Sequence, residues 1–267
     1  MIQAVKYFSP TILVLFFLSC TKQKPDQDTT QEKFVSDVQK TESADFYLPK
    51  SNTNEIVRHK YYTLSYNEKH EQAEWVAYEL KKNQLSYKNY KRPYFDEDPD
   101  VETGSASWRN YRKSGYDKGH LCPAGDRRFS SEAFNETFYT SNVSPQLNEF
   151  NAGIWNRLEQ KTRYWASKYD GVYVVTGGVL SNDLESIGKE NVSVPKYFYK
   201  ILLDNSRGKY KTIAFLLPHE DSEKPLNKFV VSIDKIEKMT GIDFFPRLPD
   251  NVENKLEQSS DYKNWSF

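Results

Sequence analysis

The sequence predicts an α+β domain with a mainly antiparallel central sheet flanked by helices. Strand-like stretches arrive in pairs that short turns connect, and helical stretches are inserted between these pairs. The regular strand–helix alternation that a parallel βαβ sheet requires is missing. With 267 residues the chain is long enough to bury a sizeable core, and a single domain is the simplest expectation.

The first 20 residues are typical of a secretory segment. An apolar run, residues 12–18, is too short to span a bilayer and is followed by Ser19 and Cys20. Leu18-Ser19-Cys20 resembles the bacterial lipoprotein cleavage box, in which the cysteine carries the lipid. We therefore expect an exported lipoprotein, periplasmic or at the cell surface, that touches the membrane only through a lipid anchor on Cys20. An ordinary signal peptide with an incidental cysteine is the alternative.

Residues 21–55 are polar and rich in Lys, Asp, Gln and Thr. Because they contain few apolar side chains to bury, they predict a flexible tether. The folded domain is expected to extend over residues 56–267.

The domain begins with one strand and one helix in this interpretation. Residues 57–66 alternate in the manner of a half-buried strand, and residues 71–82 carry a cluster of apolar side chains that indicates a helix. Proline and acidic residues in 92–100, and glycine and serine in 101–115, indicate loops.

The second half combines helices with three strands. Ser130 is a plausible helix start, and residues 151–168 have clear helical periodicity. A further helix at residues 232–239 should stop at Gly241. The predicted strands are residues 172–176, 197–203 and 210–217.

Composition excludes some kinds of site. The chain has 37 basic and 37 acidic side chains, so no long-range positive field marks it as a nucleic-acid-binding module. A local basic groove remains compatible with this balance. With only two cysteines, Cys20 and Cys122, neither a disulfide framework nor a cysteine-built zinc site is available.

The most informative stretch is Asp117-Lys118-Gly119-His120. Imidazole has an ordinary pKa near neutrality, so His120 can take a proton from water at physiological pH. Asp117 is a candidate for orienting this catalytic segment, and Lys118 can neutralise a phosphate. A histidine after glycine is nevertheless structural more often than catalytic.

Asn151 and Glu159 lie on the predicted helix of residues 151–168. The amide oxygen of Asn151 can bind a hard cation that prefers oxygen ligands, although asparagine is also a common helix N-cap. Eight residues further on, Glu159 would lie about 12 Å along the helix axis and about 80° around it. It is therefore better placed to hold the waters of such a cation than to bind it directly.

Three motifs together carry a family resemblance: DKGHLCPAGD, the segment TSNVSPQ, and the helix NAGIWNRLE. This order and spacing resemble the signature of the DNA/RNA non-specific endonuclease family, and the similarity extends over residues 58–248. The resemblance implies a ββα-metal motif that carries the active site, DNA and RNA as substrates, and products with 5′-phosphate ends. It also implies Mg²⁺ as the cofactor, with Mn²⁺ or another divalent cation as a substitute.

The resemblance also implies roles for individual residues. His120 matches the general base, Asn151 the direct protein ligand of Mg²⁺, and Glu159 the residue that holds the metal-bound waters. Asn142 matches an active-site asparagine that helps to shape the site. Arg92 and Arg163 match two arginines that contact the phosphate.

Two positions depart from the family pattern. Lys118 replaces the usual arginine, which keeps the positive charge but loses the bidentate geometry. Cys122 takes a position that alanine often holds, and we expect it to be a small packed residue.

The sequence therefore predicts a Mg²⁺-dependent, sugar-nonspecific endonuclease that hydrolyses phosphodiester bonds of DNA and RNA. The main alternative is a surface lipoprotein of the same fold that binds nucleic acid or a partner without turnover. A phosphodiesterase that acts on small or lipid substrates is a third hypothesis.

Overall fold

The fold is built on one seven-stranded antiparallel sheet. The computed structural model describes residue 1, residues 45–206 and residues 209–267. In the sheet the strands follow the order β1-β2-β3-β6-β9-β10-β11, and every neighbouring pair is antiparallel. These strands are β1 (Ile56–Arg58), β2 (Thr63–Asn67), β3 (Gln72–Lys81), β6 (Gly171–Gly178), β9 (Tyr197–Asp204), β10 (Lys211–Pro218) and β11 (Val230–Val231). This architecture confirms the predicted α+β class.

Among the described residues, two smaller pairs of strands and four α-helices of six or more residues surround this sheet, besides short helical turns. The paired strands are β4 (Asp117–His120) with β5 (Val143–Gln146), and β7 (Ser186–Ile187) with β8 (Val192–Ser193). The helices are α1 (Ser131–Glu136), α2 (Asn156–Lys168), α3 (Ile233–Thr240) and α4 (Asp250–Glu257).

The sheet has a hydrophobic core on each face. Successive side chains of a strand point to opposite faces, and β9 follows this rule because Leu202 packs in one core and Leu203 in the other. Helix α2 covers the first core through Leu158 and Trp165. Helices α3 and α4 cover the second core.

The helix predicted over residues 71–82 is wrong, because this segment is strand β3. The side chains of residues 72–78 are all buried. Strand β3 lies between β2 and β6, with core on both faces, so its sequence is almost continuously apolar instead of alternating. A continuous apolar run of this length does not distinguish a buried strand from a buried helix.

The other main elements agree with the sequence. The predicted strands at residues 172–176, 197–203 and 210–217 lie within β6, β9 and β10, and the first predicted strand is divided into β1 and β2. Helix α3 ends at Gly241, whose φ of 70° is the left-handed conformation that glycine adopts without strain.

The folded part begins earlier than residue 56. Phe46 and Leu48 each expose 3% of their surface and pack in the second core. Lys50 accepts a hydrogen bond from Trp75 Nε1 through its carbonyl oxygen, and its N–H donates to the carbonyl of Asp243. Residues 45–50 therefore belong to the fold, not to the predicted tether.

Candidate active site

Strands β4 and β5 and helix α2 form a ββα unit beside the main sheet. The two strands are antiparallel, with His120 opposite Val143 and Gly119 opposite Ser144. A Cβ atom at Gly119 would lie 2.1 Å from Oε1 of Gln146, so only glycine allows this close approach. The ββα arrangement that the resemblance implied is present, and it carries His120 at the end of β4.

The helix predicted over residues 151–168 is interrupted near its start. Residues Asn151–Trp155 form a π-helical turn, and Gly153 has non-helical backbone angles. The carboxylate of Asp221 enters the turn at this point and accepts a hydrogen bond from the N–H of Ile154 at 2.9 Å. A side chain at Gly153 would collide with this carboxylate, because its Cβ would lie 2.1 Å from Asp221 Oδ1. The kink therefore follows from an inserted side chain.

A cleft of about 360 Å³ lies over the ββα unit. Five of the predicted site residues line it: Arg92, Lys118, His120, Asn151 and Glu159. They come from a loop, from β4, from the π-helical turn and from α2. The fold thus brings together residues that are up to 67 positions apart in the sequence.

His120 is held as a neutral imidazole. The rings of Phe95 and Phe138 flank it, with centroids 5.4 Å and 5.1 Å from its own. Burial, together with the positive charge of Arg92, lowers the pKa of His120 from 6.5 to about 3. Its Nε2 atom is enclosed and has no hydrogen-bond partner among the described residues. No protein hydrogen bond among the described residues therefore occupies this nitrogen.

Asp117 fixes the orientation of Asn151. Its Oδ2 atom accepts a hydrogen bond from Asn151 Nδ2 at 3.1 Å and a second one from Asn148 Nδ2 at 2.9 Å. Because the amide nitrogen of Asn151 is engaged with Asp117, its amide oxygen is the atom available to a cation. Asp117 is thus placed to orient Asn151, and its expected role in the site stays a prediction.

Glu159 is partly buried in the cleft wall near several charged groups. Burial raises its pKa from 4.5 to about 7, and the negative charge of Asp126 acts in the same direction. Lys200 and Arg163 oppose this increase. Lys200 exposes only 1% of its surface. A bound cation beside Glu159 would favour its ionised form.

Cationic side chains line one part of the cleft. The guanidinium of Arg92 lies over the rings of Phe95 and Phe138, at 5.5 Å and 5.3 Å from their centroids. The ammonium of Lys118 lies 5.1 Å from the centroid of Phe95. Burial and the nearby Arg92 lower the pKa of Lys118. Arg92 and Lys118 thus present two positive charges next to His120.

The sequence reasoning missed Arg128, a third cation of the cleft lining. Its Nε atom is buried and has no hydrogen-bond partner in the part of the chain that the structure describes. The signal in the sequence was the pair Arg127-Arg128, which directly follows the DKGHLCPAGD motif. The two arginines separate in the structure, because Arg127 is fully buried and donates to the carbonyls of Tyr61 and Glu79.

Asn142 does not lie in the cleft lining and is fully buried. Its Oδ1 accepts the N–H of Cys122 at 2.8 Å, and its Nδ2 donates to the carbonyls of Cys122 and Thr137 at 3.0 Å and 2.9 Å. These bonds fix the chain that follows His120. Asn142 therefore holds the loop that follows His120, and its expected part in shaping the site stays a prediction.

Arg163 also lies outside the cleft lining. Its guanidinium donates to Oδ1 of Asp126 at 2.7 Å, and the carboxylate of Asp126 is completely buried. The other oxygen of Asp126 accepts a hydrogen bond from Tyr78 at 2.9 Å. Arg163 thus forms an ion pair beside the cleft, next to the cleft-lining Gly125, and its expected phosphate contact stays a prediction. Cys122 is packed as predicted, and burial raises the pKa of its thiol to about 12.

The sequence profile described as DNA/RNA non-specific endonuclease matches residues 40–251. Human mitochondrial endonuclease G is 35% identical over 202 residues, which cover 70% of this chain and 68% of that protein. Nuclease C1 of Cunninghamella echinulata var. echinulata is 36% identical over 204 residues, covering 70% of this chain and 81% of that protein.

The mitochondrial nuclease EXOG of Danio rerio is 37% identical over 223 residues, which cover 76% of this chain. The match spans 64% of that relative's length. A solved crystal structure of an EndoG/EndoGI complex, described as showing the mechanism of EndoG inhibition, contains a chain similar to this one. The TM-score is 0.68 at 30% sequence identity, with 74% of this chain and 88% of that chain covered.

These relatives correct the predicted localisation. Nuclease EXOG and endonuclease G are named as mitochondrial proteins, whereas residues 1–20 predicted an exported lipoprotein anchored through Cys20. The expectation of export and lipid anchoring is therefore contradicted. Cys20 itself lies outside the described residues. Within the described ranges, no helix has the length and apolar character needed to cross a bilayer.

Proposed function

The chain belongs to the DNA/RNA non-specific endonuclease family, and from this membership we propose that it hydrolyses phosphodiester bonds of both DNA and RNA with Mg²⁺ as cofactor. One observation carries the proposal. A neutral histidine, an asparagine with a fixed amide group and a cluster of cations line the same cleft.

The residues of the cleft fit a divalent cation. Asn151 offers an amide oxygen, because its amide nitrogen is bound to Asp117, and Glu159 offers a carboxylate. Both ligands are oxygen atoms, which Mg²⁺ prefers, and a site with few protein ligands suits an ion that keeps several waters. When bound there, the cation neutralises negative charge on the phosphate and on the leaving oxygen.

His120 is proposed as the general base. Its neutral ring can take a proton from the attacking water, and it then carries a positive charge next to the phosphate. With a pKa of about 3, His120 would be a weak base, but this value applies to the cleft without substrate. The negative charge of a bound phosphodiester opposes the effect of Arg92, so binding should raise the pKa of His120 towards neutrality.

Arg92, Lys118 and Arg128 are proposed to hold the phosphate. All three line the cleft, and each can donate to nonbridging phosphate oxygens. Contacts to phosphate carry no sequence information. Binding through them therefore agrees with cleavage that does not depend on the base or on the sugar.

A digestion assay tests this function. Purified protein is incubated with plasmid DNA and with a long RNA, each with Mg²⁺ and with EDTA, and the ends of the products are analysed. We expect both polymers to be cut to products with 5′-phosphate ends only when Mg²⁺ is present. Binding of DNA without any fragments, or equal cleavage in EDTA, would overturn the proposal.

A further inference from the structure

A group of acidic side chains lies across the main sheet from the cleft. Helices α3 and α4 pack on the second core, whereas α2 packs on the first. Between these two helices and the loop that joins them lie the carboxylates of Asp234, Glu237, Asp243, Glu253 and Glu257. This acidic group has no part in the proposed nuclease chemistry.

The carboxylates are close enough to share one ion. Asp243, Glu253 and Glu257 each place one oxygen within 4.8 Å of the others. Asp234 and Glu237 form a second set of this kind with the same Glu257. Glu257 therefore lies at the centre of the group.

Two oxygen atoms in this group are buried without a hydrogen-bond partner in the described part of the chain. They are Oε1 of Glu253 and Oε1 of Glu257, and Glu257 exposes only 8% of its surface. A buried carboxylate oxygen without a partner is costly, because it has lost its water and gained nothing in return. The unpaired oxygen of Glu257 therefore indicates a missing ligand.

No basic side chain compensates this negative charge. The charged groups that act most strongly on Glu257 are acids: Glu237, Glu253, Asp234 and Asp243. Within residues 45–206 and 209–267, none of the five carboxylates forms an ion pair with lysine or arginine.

The positions of Glu253 and Glu257 on α4 add to the electrostatic repulsion between the carboxylates. Glu253 and Glu257 are four residues apart, so they lie on the same side of the helix, where like charges destabilise it. Glu237 and Glu257, from different helices, also place one oxygen each within 4.8 Å of one another. Two carboxylates that meet in this way need either a proton or a metal cation between them.

We propose that Asp243, Glu253 and Glu257 bind a Ca²⁺ ion, with Glu237 and Asp234 as additional negative charges around it. Ca²⁺ accepts several carboxylates in an irregular arrangement, whereas Mg²⁺ demands near-octahedral geometry and keeps its waters. The residues that offer ligands come from a loop and from one face of a helix, which suits the more adaptable ion.

The ion would connect elements that are otherwise joined by few polar contacts. Asp243 lies in the loop after α3, and its carbonyl accepts the N–H of Lys50 at 2.8 Å. Glu253 and Glu257 lie on α4, near the end of the described chain. Both follow residue 251, where the match to the family profile ends. Two of the three proposed ligands thus lie outside the matched residues, whereas Asp243 lies within them.

Thermal unfolding with calcium tests the proposal. The melting temperature is measured in EDTA, in Ca²⁺ and in Mg²⁺, each ion in the low millimolar range, for the full chain and for Glu257→Gln. Asn151→Ala is added to both proteins, so that Asn151 cannot bind the added cations in the cleft. The protein that carries Asn151→Ala alone is the parent in this experiment. We expect Ca²⁺ to raise the melting temperature by about 5 °C when Glu257 is present.

Two results are expected for the melting temperature of Glu257→Gln. The variant should lose the response to Ca²⁺, and in EDTA it should melt at the same or a higher temperature, because one of the repelling charges is gone. Glu223→Gln, which changes an exposed acid elsewhere, should respond to Ca²⁺ like the parent protein. The proposal is refuted if Ca²⁺ has no effect on the parent, if Mg²⁺ stabilises it equally, or if Glu257→Gln keeps the full response.

Discussion

Replacing Asp117 with alanine tests how the cation site is oriented. Asp117 orients the side-chain amide of Asn151 by accepting a hydrogen bond from its nitrogen at 3.1 Å. Without this acceptor the amide group can rotate, and its nitrogen, which cannot bind a cation, faces the cleft in part of the molecules. We expect Asp117→Ala to weaken activation by Mg²⁺ and to leave the fold intact, because Asp117 is only partly buried.

The magnitude follows from the bonds that are lost. A hydrogen bond to a charged group contributes about 1.5–3 kcal/mol, and the loss of a residue that orients a metal ligand costs about 10–100-fold in metal affinity. Only the bond to Asn151 acts on the ligand, since the second bond of Asp117 goes to Asn148. The Mg²⁺ concentration for half-maximal activity should therefore rise by about 10–100-fold.

The assay is plasmid nicking as a function of Mg²⁺ concentration. At saturating Mg²⁺, the rate of Asp117→Ala should return to within about tenfold of the parent rate, because the cation itself restores the position of Asn151. Asn148→Ala is the matched control, since it removes the other donor to Asp117 and should leave the Mg²⁺ dependence almost unchanged. Asp117→Asn, which keeps an acceptor oxygen, should give an intermediate result. An unchanged Mg²⁺ dependence in Asp117→Ala would refute this explanation.

Three further predictions concern the residues around the cleft. Arg163→Ala should lower the free energy of unfolding by about 3 kcal/mol, because it leaves the buried carboxylate of Asp126 without its cation. Urea unfolding measures this loss. A decrease of less than about 1 kcal/mol would contradict the prediction. Asn142→Ala removes three buried hydrogen bonds and should cost about 3 kcal/mol in the same experiment. The pKa of His120 is about 3 in the folded protein and 6.5 as the ordinary value, so the unfolded chain binds more protons between these values. Stability should therefore fall as the pH drops below 6.5, by up to about 1.4 kcal/mol per pH unit, and His120→Ala should remove this part of the pH dependence.

The fold could be predicted from the sequence where a pattern has a single physical explanation. Strands β9 and β10 were predicted because two apolar runs flank a turn-rich segment, and α3 because its periodicity ends at Gly241. Strand β3 was misassigned because it is buried on both faces and therefore lacks alternation. The early start of the fold at Phe46 was missed because two buried side chains in a polar segment give no periodic signal.

The candidate site could also be predicted only in part. His120, Asn151 and Glu159 were found through motifs whose order and spacing resemble the family signature, and the structure brings all three to one cleft. The ion pair of Arg163 was not predicted, because its spacing from Glu159 gives no information on Asp126, which binds it from a distant part of the chain. The kink at Gly153 was not predictable either, since it depends on Asp221, 68 residues further along. Contacts of this kind are set by tertiary structure, not by local pattern.

In the proposed mechanism, the rate of phosphodiester hydrolysis depends most directly on His120. The decisive measurement compares plasmid nicking by the parent protein and by His120→Ala at saturating Mg²⁺, with circular dichroism and melting temperature as checks of the fold. The account predicts that the variant keeps the fold and loses at least about 100-fold in rate, because the described cleft lining contains no second imidazole that could take the proton from water. A folded His120→Ala protein that nicks DNA at the parent rate would contradict it.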